Sequence, residues 1–397
     1  MKQSTKLLWT LSIAQFLIMQ VWFNFSSIIP VLESEWMLTA TQAGIIIAFF
    51  HIGYVLAIII YSFFLSAYNP KYIIVIGALI AGVSGVLFPL LANGFWTAVI
   101  LRTVTGIGVA GIYVPGMKLV SQLFPPSTLG KAMGIYVGSL VIGSGFSLLI
   151  SGFLISSIGW KGVILLTSVF SLIAGFVVFM TKIPQIPSTP LVISKQLIQR
   201  VFRKRNVLIN GGYAAHCWEL YAMWSWIGPF LVYYFTVHGV QTTNAINYGN
   251  ILASFIIMLG GFASYIGGKI SDRFGRGTTS TWFLVTSISY SIIIGWLTSL
   301  PIAFMVILLI VYGFSIIADS PIYNTAITEV TDLELTGLAL GIQSILGFSA
   351  TVFAPLFFGI VLDYYSWGAA FTTIGLLSLI APVCMTAFKR IEKTPVT

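Results

Sequence analysis

"TKIPQIPSTPLVISKQLIQRVFRKRN", residues 181–206, is a polar connection that is rich in proline at its start and in basic residues at its end. Long apolar runs fill the sequence on both sides of it. A membrane-spanning helix needs about 20 mostly apolar residues, so these runs predict transmembrane helices. We therefore expect an N-terminal helical bundle over residues 1–180, a cytoplasmic basic linker over 181–206, and a C-terminal bundle over 207–397.

The composition supports an integral membrane protein. Of 397 residues, 58% are hydrophobic and only 7% are charged, whereas soluble domains carry about 25% charged residues. The predicted fold class is therefore all-α, with twelve transmembrane helices in two pseudo-symmetric six-helix bundles. Turn and breaker signals place the twelve spans near residues 8–32, 41–65, 72–91, 95–120, 131–156, 162–180, 207–235, 245–268, 279–299, 302–325, 337–362 and 368–388.

The basic residues predict the orientation of these spans. With the N-terminus in the cytoplasm, every Lys and Arg lies on the cytoplasmic side except Lys161, which is outside, and Arg102, which is within a span. This asymmetry satisfies the positive-inside rule and places both termini in the cytoplasm, in a cell membrane that we expect to be a bacterial inner membrane. The formal net charge of +9 is thereby explained by topology, and it does not indicate a nucleic-acid partner.

The two halves resemble each other at a shift of 207 positions. The matching pairs lie in the fourth to sixth spans of each half, and no gap is needed to align them. They include Gly106 with Gly313, Gly130 with Gly337, Gly134 with Gly341, Gly152 with Gly359, and Trp160 with Trp367. Two halves of six spans with the same orientation are related by an axis along the membrane normal, and substrate sites in such membrane proteins lie near mid-membrane between the repeats.

The loop "GGKISDRFGRG", residues 267–277, resembles the cytoplasmic signature loop of the major facilitator superfamily. The resemblance implies that a charge network in this loop holds one conformational state and controls gating. The residues that match the signature are Gly268, Asp272, Arg273, Gly275 and Arg276. In the first half the equivalent stretch is degenerate, because Leu65 and Ser66 stand where Asp272 and Arg273 stand in the second half.

Other stretches extend the resemblance over nearly the whole chain. "LRTVTGIGVAG", residues 101–111, is similar to the fourth-span pattern of the superfamily. "GIYVGSLVIGSGFSLLISG", residues 134–152, resembles its glycine-rich fifth span but lacks the Gly-Pro pair associated with antiporters. "HCWELYAMW", residues 216–224, and "ADSPIYNTAITEV", residues 318–330, resemble a bacterial branch loosely labelled nitrate/nitrite transporter-like. The nitrate signature itself is absent, so that substrate is not carried over.

Ionisable residues inside spans are the candidates for substrate binding and proton coupling, because each is costly to insert. Arg102 could bind an anionic group of the substrate or pair with a carboxylate that couples transport to protons. The alternative is a structural ion pair that fastens neighbouring helices. Glu219 lies near the midplane, one helical turn after His216, and could carry a proton or hold a cationic group of the substrate; the alternative is a buried acid that locks its helix. Asp319 precedes Pro321 and could serve a gate, contact the substrate or cap a broken helix. His51 is a weaker candidate, because a lone membrane histidine often makes only an interhelical hydrogen bond.

Aromatic side chains surround Glu219 in the sequence. Tryptophans at span ends are usually interface anchors, but Trp218 and Tyr221 lie too deep for that role. We expect these two to line a cavity, although helix packing is the simpler role for most of the aromatic residues here.

The leading hypothesis is a secondary transporter that takes up a small polar, anionic or zwitterionic solute by alternating access, coupled to protons. Proton-antiport efflux of drugs or metabolites is the alternative within transport, and a non-transporting membrane sensor is the alternative outside it. The histidines and the two cysteines, Cys217 and Cys384, show no metal-ligand spacing, so we predict no enzyme activity, no metal and no cofactor. The expected partners are the solute, H⁺ and the lipid bilayer, with no nucleic acid, and the expected state is a monomer.

Overall fold

The computed structural model describes residues 2–67, 69–183, 199, 201–332 and 335–392. Fourteen α-helices run through this part of the chain. They are α1 (Lys2–Ile18), α2 (Ile29–Glu35), α3 (Ala40–Ala67), α4 (Pro70–Leu91), α5 (Phe95–Leu123), α6 (Pro126–Met180), α7 (Lys204–Val237), α8 (Thr242–Phe274), α9 (Arg276–Ile294), α10 (Ile302–Ala318), α11 (Ser320–Val330), α12 (Thr336–Tyr364), α13 (Trp367–Ser378) and α14 (Ile380–Glu392). The all-helical membrane fold predicted from the sequence is confirmed.

Nine helical stretches of the described residues are long and apolar enough to cross a membrane. One of them is the long helix α6, which turns at Gly159, where φ is +67°, so we interpret it as the predicted fifth and sixth spans joined. Two further helices, α7 with 34 residues and α9 with 19 residues, are about 51 Å and 28 Å long at 1.5 Å per residue. With α6 counted as two spans and with α7 and α9 added, the nine stretches correspond to the twelve predicted spans.

Three predicted spans are broken, and only the break in the tenth was considered from the sequence. The first span breaks at residues 19–28, which form two 3₁₀ turns, Met19–Val21 and Ser26–Ile28. The tenth span breaks at Asp319, between α10 and α11, and the twelfth breaks at Leu379, between α13 and α14. Breaks of this kind free backbone groups that water cannot reach inside a bilayer, so other parts of the protein must supply their hydrogen bonds.

Local signals explain several helix ends. Asn69 accepts a hydrogen bond of 2.9 Å from the Lys71 amide at the start of α4, and Ser366 accepts one of 3.2 Å from the Ala369 amide at the start of α13. Both are N-cap residues in extended conformation, as the capping rule requires. Gly275 separates α8 from α9 with φ at +87°, a conformation that favours glycine.

The chain forms two compact units. The first contains Met1–Leu191 and Ile227–Met258, and the second contains Val192–Trp226 and Leu259–Thr397. Helices α7 and α8 therefore each contribute to both units. The boundaries at 180 and 207 stay a prediction, and most of the linker (residues 184–198 and residue 200) lies outside the described residues.

Close helix packing in the first unit depends on glycine. A Cβ atom at Gly106 on α5 would meet the backbone carbonyl of Phe50 on α3, and one at Gly152 on α6 would meet Ile251 and the backbone of Asn247 on α8. Gly134, also on α6, has open space where its Cβ would be. Glycine is thus required for backbone approach at some helix crossings and not at others.

Candidate functional site

A buried histidine–carboxylate pair lies in the second unit. His216 on α7 and Asp319 at the α10–α11 break are 2% and 1% exposed, and Nδ1 of His216 lies 3.0 Å from Oδ1 of Asp319. The other ring nitrogen, Nε2, is 2.7 Å from the hydroxyl of Ser320. The imidazole is therefore held from both sides by two adjacent residues of one helix break.

The break explains why the Asp319 side chain is available to His216. Pro321 is the second residue of α11 and has no amide hydrogen to donate, which weakens the helix at this point. The backbone carbonyl of Asp319 accepts the Ile322 amide at 2.9 Å, but its carboxylate makes no capping hydrogen bond. The helix is thus broken at Asp319 as expected, whereas the capping bond considered from the sequence is not formed.

Glu219 belongs to the same buried region. It is 1% exposed, and its Oε2 accepts a hydrogen bond of 3.2 Å from Ser287 of α9. It also lies close enough to Asp319 and Tyr312 for their charges and dipoles to interact. Among the described residues, its Oε1 has no hydrogen-bond partner. The three residues His216, Glu219 and Asp319 form what we call the acid–histidine cluster.

The charge of the acid–histidine cluster is unbalanced. Two carboxylates and one imidazole carry a net charge of −1 or −2 when both acids are ionised, and the described contacts of these side chains include no lysine or arginine. Burying unpaired charge in a low-dielectric interior costs several kcal/mol. A bound proton or cation offsets that cost, so the arrangement is suited to binding one.

The two predicted cavity aromatics pack against α12 within the second unit. The Trp218 ring centroid lies 5.8 Å from that of Phe357, and the Tyr221 centroid lies 6.0 Å from that of Phe348. The indole Nε1 of Trp218 is buried without a hydrogen-bond partner in the described part of the chain. Their contacts are those of helix packing, and cavity lining stays a prediction for both.

Arg102 and His51 come together in the first unit, around the break in the first span. The Arg102 guanidinium donates to the carbonyl oxygens of Val21 and Trp22 at 2.9 and 3.0 Å, and to Oδ1 of Asn24 at 3.1 Å. These carbonyls lack helical partners because the span unwinds there. Arg102 therefore supplies hydrogen bonds to backbone carbonyl groups of the broken helix, and all its described hydrogen-bond acceptors are neutral oxygens.

The surroundings of Arg102 are aromatic. Its guanidinium carbon lies 4.4 Å from the ring centroid of Phe50, and His51 packs edge-on against Trp22 with centroids 5.8 Å apart. A cavity of about 10 Å³ adjoins Arg102, Asn24 and Thr105, roughly the room of one water molecule. Three of the five guanidinium N–H groups are used, and the buried Nε–H has no hydrogen-bond partner among the described residues.

The predicted gating loop forms a charge network within the second unit. Arg276 donates from Nη1 to Asp272 at 2.5 Å and to Ser271 at 2.6 Å, and from Nη2 to Glu329 at 2.8 Å. Glu329 lies at the end of α11, so the guanidinium joins the α8–α9 loop to the tenth span. Arg273 stacks over Phe274 at 5.3 Å, and Gly268 has open space at its Cβ position.

Sequence reasoning missed several partners of the predicted residues. Ser287, Asn24 and Glu329 were not singled out, although each bonds to a candidate side chain. Glu329 carried a usable signal, because it is an acid in the same quoted stretch as Asp319. Ser287 belongs to a run of Ser and Thr in α9, a composition that favours interhelical hydrogen bonds.

Comparison with known proteins identifies the family. The model of the Major Facilitator Superfamily matches residues 11–355. The chain belongs to this superfamily. The membership confirms the resemblance found in the signature loop, and it makes the protein a multi-pass membrane protein of a family that transports small molecules.

Two relatives that match this chain along most of their length are distant in sequence. The chain is 24% identical to the hexuronate transporter of Bacillus subtilis (strain 168) over 380 residues, which cover 91% of this chain and 89% of the relative. It is 21% identical to a probable hexose phosphate transport protein of Chlamydia trachomatis serovar D, over 90% of this chain and 85% of the relative.

Solved superfamily structures confirm the fold. An inward-facing, unoccupied bacterial homologue of the human lysosomal transporter Spinster superposes with a TM-score of 0.76 at 17% identity, covering 100% of this chain and 99% of that one. At this identity the likeness establishes the architecture alone.

Proposed function

We propose that this protein is a secondary transporter that takes up a small anionic or zwitterionic solute by alternating access, driven by protons. The observation that carries the proposal is the acid–histidine cluster, in which Glu219 and Asp319 are each 1% exposed and His216 is the partner of one of them. Superfamily membership supplies the class of activity, and the cluster supplies the argument for coupling.

The coupling argument follows from charge. With both carboxylates ionised, the cluster is costly to bury, so a proton on one acid stabilises it. When the transport cycle opens the cluster to water on either side of the membrane, that proton can exchange, because water stabilises the ionised form. Transporters use intramembrane acids and histidines as proton relays in this manner. We therefore assign proton binding to Glu219 and Asp319. We assign to His216 the adjustment of the proton affinity of these acids.

The proposed solute is a negatively charged sugar or a metabolite of similar size. Two relatives that match along most of their length are named for hexuronate and for hexose phosphate, and both of these solutes combine hydroxyl groups with a negative charge. Arg102 is our candidate for recognising that charge through the N–H groups that the first span leaves unused. Its three bonds to the first span would fix the orientation of the guanidinium beforehand.

Further expectations accompany this proposal. We propose a monomer without enzyme activity, in a bacterial inner membrane with both termini in the cytoplasm. Efflux in exchange for protons is the alternative direction, and the absence of a Gly-Pro pair in the fifth span favours uptake. The membrane-sensor alternative would bind the same solutes without moving them.

Purified protein in proteoliposomes tests the proposal. Uptake of labelled glucuronate or glucose 6-phosphate is measured with the outside either more acidic than the lumen or at the same pH. We expect accumulation of at least one solute only with the acidic outside. Accumulation with the opposite gradient would show antiport, and solute-dependent thermal stabilisation without flux would support the sensor.

A further inference from the structure

An apolar groove lies between α1 and the first part of α6, within the first unit. It has a volume of about 390 Å³ and is lined on α1 by Trp9, Ser12, Ile13 and Phe16. On α6 it is lined by Gly134, Ile135, Gly138, Ser139 and Ile142. Its volume falls within the range of about 300–1,000 Å³ typical of ligand pockets.

The groove is open to its surroundings. Trp9, Ile13 and Ile142 are 53%, 51% and 45% exposed. Gly134 and Gly138 have nothing within 4 Å of an added Cβ atom, so the α6 wall is a shallow channel along the helix. An apolar channel on a membrane-spanning pair of helices fits a hydrocarbon chain.

Two lysines mark one end of the groove. The side chain of Gln15 donates to the carbonyl of Tyr136 and that of Gln20 to the carbonyl of Gly143, so α1 and α6 run in the same direction. Lys6 precedes Trp9 by three residues on α1, and Lys131 precedes Gly134 by three on α6. Residues three apart share a helix face, so both lysines continue the two walls by about 4.5 Å.

Nothing in the described part of the chain neutralises these lysines. Lys6 and Lys131 are both exposed, and the described ion pairs involve other residues. Helix α6 also begins close by, at Pro126, so the positive end of its helix dipole adds to the potential at the same end. The positive charge at this end of the groove therefore complements an anionic headgroup.

We propose that this groove binds an anionic phospholipid, with an acyl chain along the glycine wall of α6 and the phosphate between Lys6 and Lys131. Basic pockets between transmembrane helices favour such headgroups, and Trp9 stands at the start of the predicted first span, the position typical of indoles that meet the headgroup region. The lipid would bridge the first and fifth spans and stabilise the first unit. This site is separate from the acid–histidine cluster and does not depend on the proposed solute.

The test is thermal unfolding of the full chain in detergent with added phosphatidylglycerol or phosphatidylcholine of the same acyl chains. For the wild type we expect phosphatidylglycerol to raise the melting temperature by several degrees more than phosphatidylcholine does. The double variant Lys6→Gln/Lys131→Gln should lose this difference, and Lys6→Arg/Lys131→Arg should keep it. Gly138→Leu, which fills the groove without changing charge, should also lose it.

The double variant Lys182→Gln/Lys204→Gln is the matched control, because it removes two exposed lysines that do not line the groove and should keep the full difference. Equal stabilisation by both lipids in the wild type would overturn the proposal. So would an equal loss in the control pair, unchanged lipid preference in Gly138→Leu, or full stabilisation by glycerol phosphate in place of the lipid.

Discussion

Nδ1 of His216 lies 3.0 Å from Oδ1 of Asp319, and both side chains are almost fully buried. The two residues are 103 positions apart in the chain and meet because the tenth span breaks at Asp319. Each is costly to bury without the other, so the pair should behave as one unit when either member is changed.

We expect His216→Ala to destabilise the protein by about 3–5 kcal/mol, because it leaves Asp319 buried without its partner. Asp319→Asn in the same chain should recover about 0.5–3 kcal/mol of that loss, since no charge is left unpaired. Thermal unfolding of the two single variants and the double variant measures the coupling. Losses that simply add would show that the contact carries no energy.

Arg102→Lys should cost about 1–3 kcal/mol of stability, because an ammonium group cannot reach all three oxygens and one is left buried without a donor. Asn24→Ala removes just one acceptor and should cost less. Unfolding in detergent and solute binding are measured on both variants. If Arg102→Lys keeps full stability and loses only solute binding, the guanidinium binds the solute, and its hydrogen bonds to the first span contribute nothing to stability.

Gly106→Ala should destabilise the first unit by about 1–3 kcal/mol, since the added methyl group meets the carbonyl of Phe50 and the two helices must move apart. Gly134→Ala has open space around its Cβ and gains helix propensity, so it should be neutral or slightly stabilising. The melting temperatures of the two alanine variants test this difference. Equal effects at both positions would contradict the close approach of α5 to α3 at Gly106.

Arg276→Lys should slow transport while changing stability by less than about 1 kcal/mol, because Asp272 and Glu329 are 68% and 50% exposed and exposed pairs contribute little to folding. Transport slows because the lysine ammonium group lacks the planar fork with which the guanidinium holds the two carboxylates in fixed directions. Arg390→Lys, at an exposed arginine outside the predicted gating loop, is the control and should transport normally. Initial uptake rates for the two variants are compared, and equal rates would remove Arg276 from gating.

Much of the fold follows from the sequence, because spans are long and their limits are set by bilayer thickness. The bounds of α4, α5 and α12 lie within a few residues of the predicted spans. The break in the first span was not predictable in this way, because residues 19–28 contain no proline or glycine to mark it. It exists because Arg102 supplies hydrogen bonds from α5, a contact about 80 residues away.

The candidate site was predictable as a set of residues and not as a set of partners. Glu219, His216 and Asp319 stand out because charge is rare in apolar spans. Which of them meet depends on the rotation of each helix about its axis, and apolar helices that face lipid and protein alike give little sequence signal of that rotation. Ser287 and Glu329 were missed for this reason.

The most direct test of the account is solute-driven proton movement, recorded with a pH-sensitive dye outside proteoliposomes that hold no initial gradient. Adding a transported solute should make the outside more alkaline with the wild-type protein, as protons enter with it. Glu219→Gln, which keeps the shape and removes the titrating group, should give no pH change. Transport of the solute by the wild type without any pH change, or an unaltered pH change in Glu219→Gln, would contradict proton coupling through the acid–histidine cluster.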